Sequence, residues 1–336
     1  MEFKISKEME AFIRKLPKTE THLHVEGALP FELIQGIHPE KYTTVPDSWD
    51  LNFKFRDFEH FESELLSYAA DWFHSPERYY EATKLMFERM QKEQNVKYVS
   101  CSFASGCLEH FGSDGRETAE AIKAAVPEGM KLDLFMGIHH PGYTEVSKRF
   151  IEASLNWKAL DGYDLHGVET LPVEDWTPDF WKRARDHGKY TKAHAGEFCG
   201  PDFIARVIQD LGVTRIQHGV RALESDTFVQ RLREEDIVLD VCPISNYKLG
   251  LVDSYDLHKG MPLLRDENIC CTISTDDPVS FGNTLYDEYA FLVDHHNFDA
   301  KNLGRLAKNG FRTSTLAKEE IEKYCSEIDE LVAANS

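Results

Sequence analysis

Short apolar runs alternate with longer amphipathic segments along most of the chain. The runs rich in β-branched and aromatic residues predict strands at 19–25, 96–103, 132–139, 162–167, 190–194, 215–218, 238–243 and 271–276. The segments with helical periodicity lie mainly between them, at 76–94, 115–125, 144–157, 177–187, 202–211 and 225–235. Eight strands that alternate with helices predict an α/β fold with a parallel sheet closed into a (β/α)8 TIM barrel.

Two regions of the chain are additional to the eight strand–helix units of a minimal barrel. The connection at 30–73, after the first strand, is rich in aromatic residues and predicts an inserted helical segment. It could be a subdomain that packs on the barrel, a lid over an apolar pocket, or both. The segments 303–315 and 318–334 predict additional C-terminal helices. Because barrels with insertions often reach this length as one unit, we expect a single domain over residues 1–336.

Composition and charge restrict the class of partner. The chain is 42% hydrophobic and 29% charged, typical of a folded globular protein, and its formal net charge is −20. That charge, without a Lys/Arg cluster, disfavours nucleic acid and membrane surfaces and leaves a small molecule as the expected partner. Seven cysteines without a CxxC motif, and the lack of a signal-like or membrane-spanning apolar run, predict a cytoplasmic protein.

Polar residues occur where several predicted strands end. His22 and His24 are two residues apart, so both side chains project to the same side of the first strand. Three further strands end at His194, His218 and Asp276. The carboxyl ends of barrel strands meet at one face, and buried polar groups are costly unless they are paired or bind metal. This pattern predicts a zinc site, although any one of these residues alone would be weak support.

Other zinc-enzyme patterns are missing from the sequence. There is no HExxH motif of zincin proteases, and no PCxxC follows the HxE at His24–Val25–Glu26 to complete a cytidine-deaminase site. The fourth strand, GYDLHGVE, contains no lysine. Lys192 shares the side of its strand with His194 and is interpreted as structural.

Five sequence blocks resemble the adenosine and adenine deaminases of the amidohydrolase superfamily. They are THLHVEGAL, AHAGE, RIQHG, CPISNYKLG and STDDPVSFG, and they extend from Thr21 to Gly282. The resemblance implies one Zn²⁺ per chain, held by His22, His24, His194 and Asp276. It further implies that His218 orients and helps to deprotonate the attacking water, and that Glu197 protonates the purine ring nitrogen. Asp277 would bind the imidazole side of the purine, and the Gly167 backbone its far edge.

Elementary chemistry agrees with this assignment. Zinc can lower the pKa of water from about 15.7 to about 7, and a carboxylic acid with a raised pKa can protonate the ring. Glu197 follows Ala195 and Gly196, which could form a tight turn that directs it over the metal. Taken singly, Glu197 could instead be a helix N-terminal residue, and Asp276–Asp277 a turn. A non-catalytic binding barrel would be expected to lack at least one of the site residues, and none is missing.

The identity of the purine is less constrained. Glu26 stands where the adenosine deaminases have aspartate, and VSCSFASG and CPISNYKLG resemble adenine-deaminase blocks, whereas GVETLP is nearer the adenosine enzymes. We therefore expect adenine to be favoured, giving hypoxanthine and ammonia, with Glu26 near the substrate. The alternatives are adenosine, giving inosine, and a related mononuclear amidohydrolase that acts on an N6-substituted purine or another aromatic amine.

Overall fold

Parallel strands form the centre of the molecule. The computed structural model describes residues 1–140, 142–251 and 261–335. Eight strands pair in parallel in chain order. They are β1 Lys18–His24, β2 Val96–Ala104, β3 Lys131–His140, β4 Gly162–Gly167, β5 Tyr190–Ala195, β6 Arg215–His218, β7 Val238–Val241 and β8 Cys270–Ile273. The predicted TIM-barrel fold is confirmed.

A small number of contacts join the first and last strands. An isolated parallel bridge pairs Leu23 with Asp276, and Thr21 Oγ1 lies 2.7 Å from Thr272 Oγ1. The backbone N–H of Asp276 donates to the His22 carbonyl at 3.1 Å, and that of His24 donates to the Asp276 carbonyl at 3.1 Å. The barrel is therefore nearly closed, and the segment after β8 is fixed beside the end of β1.

Helices surround the barrel, and helices also form the insertion after β1 and the C-terminal segment after β8. They are α1 Lys7–Lys15, α2 Phe31–Ile37, α3 Phe58–Trp72, α4 Pro76–Gln94, α5 Ser105–Phe111, α6 Gly115–Ala124, α7 Ser147–Ser154, α8 Thr177–Asp186, α9 Pro201–Leu211, α10 Asp226–Glu234, α11 Pro243–Lys248, α12 Met261–Arg265, α13 Pro278–Phe281, α14 Leu285–His296, α15 Ala300–Arg312 and α16 Lys318–Ala333. In the described ranges, none of these helices has the length and apolar character needed to cross a membrane.

Local sequence explains where the longest helix begins and ends. Pro76 occupies the first turn of α4, where its missing N–H costs no hydrogen bond. Asn95 ends the helix with φ 56°, a left-handed conformation that asparagine tolerates better than most residues. Between them α4 buries an apolar face that includes Tyr79, Met86 and Phe87.

Two strand predictions extend too far. The strand predicted at 238–243 ends at Val241, because Pro243 begins α11. The strand predicted at 271–276 ends at Ile273, because the chain turns and Asp276 takes a left-handed φ of 68°. Asp276 therefore lies in the loop after β8 and not on the strand itself. The helix predicted at 144–157 is also shorter, at Ser147–Ser154.

The predicted insertion forms α2 and α3 with a short 3-10 helix at Asp47–Trp49 between them. Tyr68 and Trp72 of α3 are buried. Phe61 stacks on Phe281 of α13 with ring centroids 5.2 Å apart, and Phe58 contacts Phe198 at 5.4 Å. The insertion thus packs on the barrel at the end where the strands finish, and α3 lies beside the site described next.

Candidate metal and catalytic site

Four predicted ligands from distant parts of the chain converge at the carboxyl ends of the strands. His194 Nε2 lies 3.1 Å from His22 Nε2 and 3.3 Å from His24 Nε2. Asp276 Oδ1 lies 3.2 Å from His22 Nε2 and 3.3 Å from His24 Nε2. These four atoms all lie within 4.8 Å of one another. Three imidazole nitrogens and one carboxylate oxygen are donors that zinc prefers, so the residues fit a zinc ion.

In each ligand, the nitrogen or oxygen that does not face the metal position contacts another group of the protein. These contacts are His22 Nδ1 with Asp240 O (3.2 Å), His24 Nδ1 with Ser102 Oγ (3.3 Å), His194 Nδ1 with Asp164 Oδ1 (3.2 Å) and Asp276 Oδ2 with Ser245 Oγ (2.7 Å). Such contacts set ring orientation and tautomer in metal sites. Burial would raise the pKa of Asp276, but His22, His24 and His218 together outweigh burial and hold that pKa well below its usual range.

The turn after β5 directs Glu197 into the same site. Gly196 has φ 78°, a left-handed conformation that favours glycine. The Glu169 carboxylate accepts hydrogen bonds from the backbone N–H groups of Glu197 at 3.0 Å, Phe198 at 2.8 Å and Cys199 at 2.6 Å. This carboxylate therefore fixes the backbone that carries Glu197. Glu169 lies in the GVETLP segment, and the sequence alone did not predict a role for it.

Glu197 has the properties of a carboxylic acid that holds a proton. Burial raises the pKa of Glu197 well above its ordinary value, and the negative charges of Asp276, Glu169 and Asp277 add to the rise. In the described part of the chain, its Oε1 is buried without a hydrogen-bond partner. Its Oε2 lies 3.4 Å from His218 Nε2.

His218 lies between Glu197 and Asp276. Its Nε2 is 3.9 Å from Asp276 Oδ2, and its Nδ1 is 3.0 Å from the amide nitrogen of Asn246. In this amide orientation the N–H₂ group donates to Nδ1, which corresponds to the tautomer with the ring proton on Nε2, the nitrogen that faces the site. Burial lowers the pKa of His218 well below its ordinary value, so the ring is neutral. Asn246 lies in the CPISNYKLG block, and sequence reasoning gave it no role.

The residues predicted to bind substrate lie around the same space. Asp277 is buried next to Asp276, and burial raises the pKa of Asp277 well above its ordinary value. The Glu26 carboxylate accepts hydrogen bonds from Tyr79 Oη at 2.7 Å and from the Ala104 N–H at 3.0 Å. Both Glu26 and Gly167 line the cavity that the site opens into.

This cavity has a volume of about 520 Å³. His24, His194, Glu197, His218, Asp276 and Asp277 line its inner end, and α3 and α5 form its outer walls. The α3 wall is mostly apolar and includes Phe58, Phe61, Leu65 and Ala69. Among the described residues that line the cavity, none is lysine or arginine. The predicted aromatic insertion therefore packs on the barrel and also covers part of the cavity.

Lys192 lies deeper in the barrel than the site. Its Nζ is 3.2 Å from Gln217 Oε1 and 3.8 Å from Asp164 Oδ2, and the side chain is fully buried. Because Asp164 also contacts His194, Lys192 belongs to the polar layer that supports the ligands.

Comparisons with known proteins agree on one family. The family model described as adenosine deaminase matches residues 17–331. An adenine deaminase from Marinomonas sp. is 30% identical over 334 residues, covering 95% of this chain and 98% of the relative. The crystal structure of an adenine deaminase from Arthrobacter aurescens superposes with a TM-score of 0.84 at 23% identity, covering 95% of this chain and 99% of that one. An amidohydrolase structure from Burkholderia ambifaria with bound Zn also has a TM-score of 0.84, at 17% identity, covering 98% and 95% of the chains.

Proposed function

Since the chain belongs to the adenosine deaminase family, we propose that it hydrolyses the 6-amino group of a purine, with adenine as the favoured substrate. Water and adenine would give hypoxanthine and ammonia. The observation that carries this proposal is the convergence of His22, His24, His194 and Asp276 beside the buried Glu197, whose pKa burial raises.

The proposed metal ion is one zinc per chain, held by His22, His24, His194 and Asp276. A bound zinc ion lowers the pKa of water toward about 7 and so supplies a nucleophile at neutral pH. Support comes from the donor set and from the fixed far side of each ligand.

Glu197 is the proposed proton donor to N1, the purine ring nitrogen beside the attacked carbon. Burial raises the pKa of Glu197, which favours the protonated carboxyl group, and Glu197 lines the cavity. Proton transfer to the ring lets the carbon accept the oxygen without a negative charge on the purine. One proton of the attacking water would convert the amino group to ammonia, and the other would return to Glu197. Ammonia then leaves as the ring regains conjugation.

His218 is proposed to orient the attacking oxygen. With Asn246 donating to Nδ1, the Nε2–H of His218 points toward Glu197 and Asp276 and can donate to an oxygen held between them. The additional role of accepting a proton requires the opposite tautomer. That tautomer forms when the Asn246 amide turns so that its oxygen accepts from Nδ1.

Asp277 and Gly167 are proposed to bind the two remaining sides of the purine. The Oδ1 atom of Asp277 is buried and, in the described ranges, has no hydrogen-bond partner. A protonated Asp277 can donate to N7, and the raised pKa of Asp277 favours that form. The Gly167 backbone would meet the edge remote from the amino group.

Two features favour a free purine base over a nucleoside or a nucleotide as the substrate. The Glu26 oxygens already accept hydrogen bonds from Tyr79 and Ala104, which leaves Glu26 poorly placed to bind a ribose hydroxyl. The described cavity lining has no lysine or arginine that could pair with a phosphate. Adenosine, giving inosine, is the second candidate because a cavity of about 520 Å³ holds more than a bicyclic base.

The deciding experiment measures ammonia release from adenine, adenosine, AMP and N6-methyladenine at several concentrations. We expect the highest kcat/KM with adenine and the lowest with AMP. Release from none of these compounds would remove the purine-deaminase proposal, and a preference for adenosine would favour the second candidate.

A further inference from the structure

A buried carboxyl group of the C-terminal segment connects two parts of the chain that carry site residues. Glu288 lies in α14, and its side chain is fully buried. Its Oε2 accepts a hydrogen bond from the backbone N–H of Ile244 at 3.1 Å, and its Oε1 accepts one from Asn283 Nδ2 at 2.6 Å. Glu288 is not among the described residues that line the cavity, so any effect on the site must pass through these partners.

The Oε2 contact fixes the beginning of α11. Ile244 lies in the first turn of this helix, where backbone N–H groups have no acceptor within the helix. The next two residues of α11 both contact the site. Ser245 Oγ donates to Asp276 Oδ2 at 2.7 Å, and Asn246 Nδ2 lies 3.0 Å from His218 Nδ1. The carboxyl group therefore holds the helix turn that orients a proposed metal ligand and the proposed water-orienting imidazole.

The Oε1 contact reaches the loop after β8. Asn283 Nδ2 donates to the carbonyl of Thr275 at 3.0 Å as well as to Glu288. Both partners of this nitrogen are acceptors, which sets the orientation of the Asn283 amide. Thr275 directly precedes Asp276, and Thr275 Oγ1 donates to Oε2 of Glu20 in β1 at 2.7 Å. The loop that carries Asp276 is thus attached to Glu288 on one side and to β1 on the other.

The two oxygens of Glu288 face two N–H donors, and only a group with two acceptors satisfies both. A glutamine side chain has the same shape but presents one oxygen and one N–H₂ group, which only donates. In Glu288→Gln, that N–H₂ group would face either the Ile244 N–H or Asn283 Nδ2. Reversal of the Asn283 amide would remove the second conflict but would lose the hydrogen bond to Thr275. Since buried donors without an acceptor are unfavourable, either orientation loosens one of the two segments.

We infer that Glu288 is a positioning residue that acts through α11 and the loop after β8 and sets the placement of Asp276 and His218. This inference rests on the proposed zinc site and deaminase function and adds to them a residue outside the cavity. The two segments meet at Asp276, whose backbone lies in the loop and whose Oδ2 accepts from α11. A shift of one segment relative to the other therefore moves Asp276 Oδ1 away from His22 Nε2, which lies 3.2 Å from it.

The test measures zinc affinity by competition with a chelator, and steady-state kinetics with adenine in zinc-loaded protein. In Glu288→Gln we expect the dissociation constant for zinc to rise by about tenfold, because groups that support metal ligands typically contribute factors of about 10–100. We expect kcat to fall by about tenfold for the same reason. KM for adenine should change much less than kcat, because Glu288 is not part of the described cavity lining.

Asp287→Asn is the matched control, because Asp287 precedes Glu288 in α14 and is also buried. Its carboxyl group accepts hydrogen bonds from Thr284 Oγ1 at 2.6 Å and from the Thr284 N–H at 2.8 Å, and it lies 3.8 Å from the N-terminal amino group. Loss of this helix cap should lower Tm but leave zinc affinity and kcat at wild-type values. Wild-type zinc affinity and kcat in Glu288→Gln would overturn the inference, and so would equal losses in Asp287→Asn.

A double-variant comparison tests the path through α11. Ser245→Ala removes the hydrogen bond that this helix donates to Asp276. If Glu288 acts through α11, Ser245→Ala and Glu288→Gln together should weaken zinc binding by less than the product of their separate effects. A loss equal to the full product would contradict that path.

If Glu288→Gln does not fold, Asn283→Ala is measured in the same way, because it removes the contacts with both Glu288 and Thr275. Reduced zinc affinity and kcat in this variant support the inference, and wild-type values contradict it. Zinc binding by the wild type without ammonia release from any 6-aminopurine would refute the proposed reaction. The zinc affinities of the variants would still decide whether Glu288 positions the site.

Discussion

His218 and Asp276 both have left-handed backbone conformations, with φ angles of 65° and 68°. Such angles are unfavourable for residues other than glycine, and they occur often at functional sites. Asp276 is held in this conformation by backbone hydrogen bonds to both His22 and His24. Asp276 lies beyond the end of β8, and its Oδ1 lies 3.2 Å from His22 Nε2 and 3.3 Å from His24 Nε2.

Glu197 provides a prediction at the scale of one residue. Glu197→Gln keeps the size of the side chain but cannot transfer an acidic proton. We expect kcat to fall by about 10²–10⁴, with zinc content unchanged by elemental analysis because Glu197 is not among the four proposed ligands. Near wild-type kcat in the zinc-loaded variant would exclude the proton-donor role.

Glu26 provides a second residue-scale prediction. In Glu26→Asp the carboxylate is shorter and withdraws from Ala104 and Tyr79, which opens space in the cavity. We expect the ratio of kcat/KM for adenosine to that for adenine to rise by about tenfold.

Tyr79→Phe is the matched control for Glu26→Asp, because it removes the same hydrogen bond without shortening the carboxylate. It should leave the adenosine-to-adenine ratio near the wild-type value. A ratio that is equal in all three proteins would show that Glu26 does not influence the choice between base and nucleoside.

The turn between β5 and α9 is the element that places the proposed acid. A Cβ atom on Gly196 would lie 2.8 Å from Cγ1 of Ile204 in α9 and 3.0 Å from Cα of Gly219. Gly188 has a similar φ of 75°, but a Cβ atom there meets nothing within 4 Å. Alanine at Gly188 therefore measures only the cost of a left-handed backbone, whereas alanine at Gly196 adds steric overlap with Ile204 and Gly219.

We expect Gly188→Ala to lower the free energy of unfolding by about 1–2 kcal/mol, the cost of a left-handed alanine, with no change in kcat. Gly196→Ala should cost more and should also lower kcat, because relief of the overlap moves Glu197. Chemical denaturation and steady-state kinetics measure both effects. Equal destabilisation by the two substitutions, with full activity in Gly196→Ala, would contradict this account of the turn.

At the scale of the whole molecule, the proposed metal ion would join both edges of the nearly closed barrel. Its ligands come from β1, from β5 and from the loop after β8. An ion that binds only the folded state stabilises that state. We expect complete removal by a chelator to abolish activity and lower Tm, and one equivalent of Zn²⁺ per chain to restore both.

Mg²⁺ is the control ion for this experiment. It prefers oxygen ligands in octahedral geometry and should not replace zinc among three imidazoles. Full activity in protein shown by elemental analysis to be free of metal would exclude a metal-dependent reaction.

Much of the architecture was determined by the sequence itself. Apolar periodicity records which face of each segment is buried, and this local property located the eight strands and the insertion. It also predicted C-terminal helices at 303–315 and 318–334, which the structure has at Ala300–Arg312 and Lys318–Ala333. The two-residue spacing of His22 and His24 placed both on one side of β1, because side chains alternate along a strand. The motif blocks then identified Glu197, His218 and Asp277 as candidates.

Distances between residues far apart in the chain were decided only by the tertiary structure. The contact of Glu169 with the turn at Glu197 and the contact of Asn246 with His218 depend on how neighbouring loops meet. The contacts of the His166 ring with His24 and His139 depend on the register of adjacent strands and on the space beside Gly137. The periodicity of the sequence specifies the side of a strand or helix to which a side chain projects. The residue that this side chain contacts is decided only when the barrel brings the ends of separate strands together.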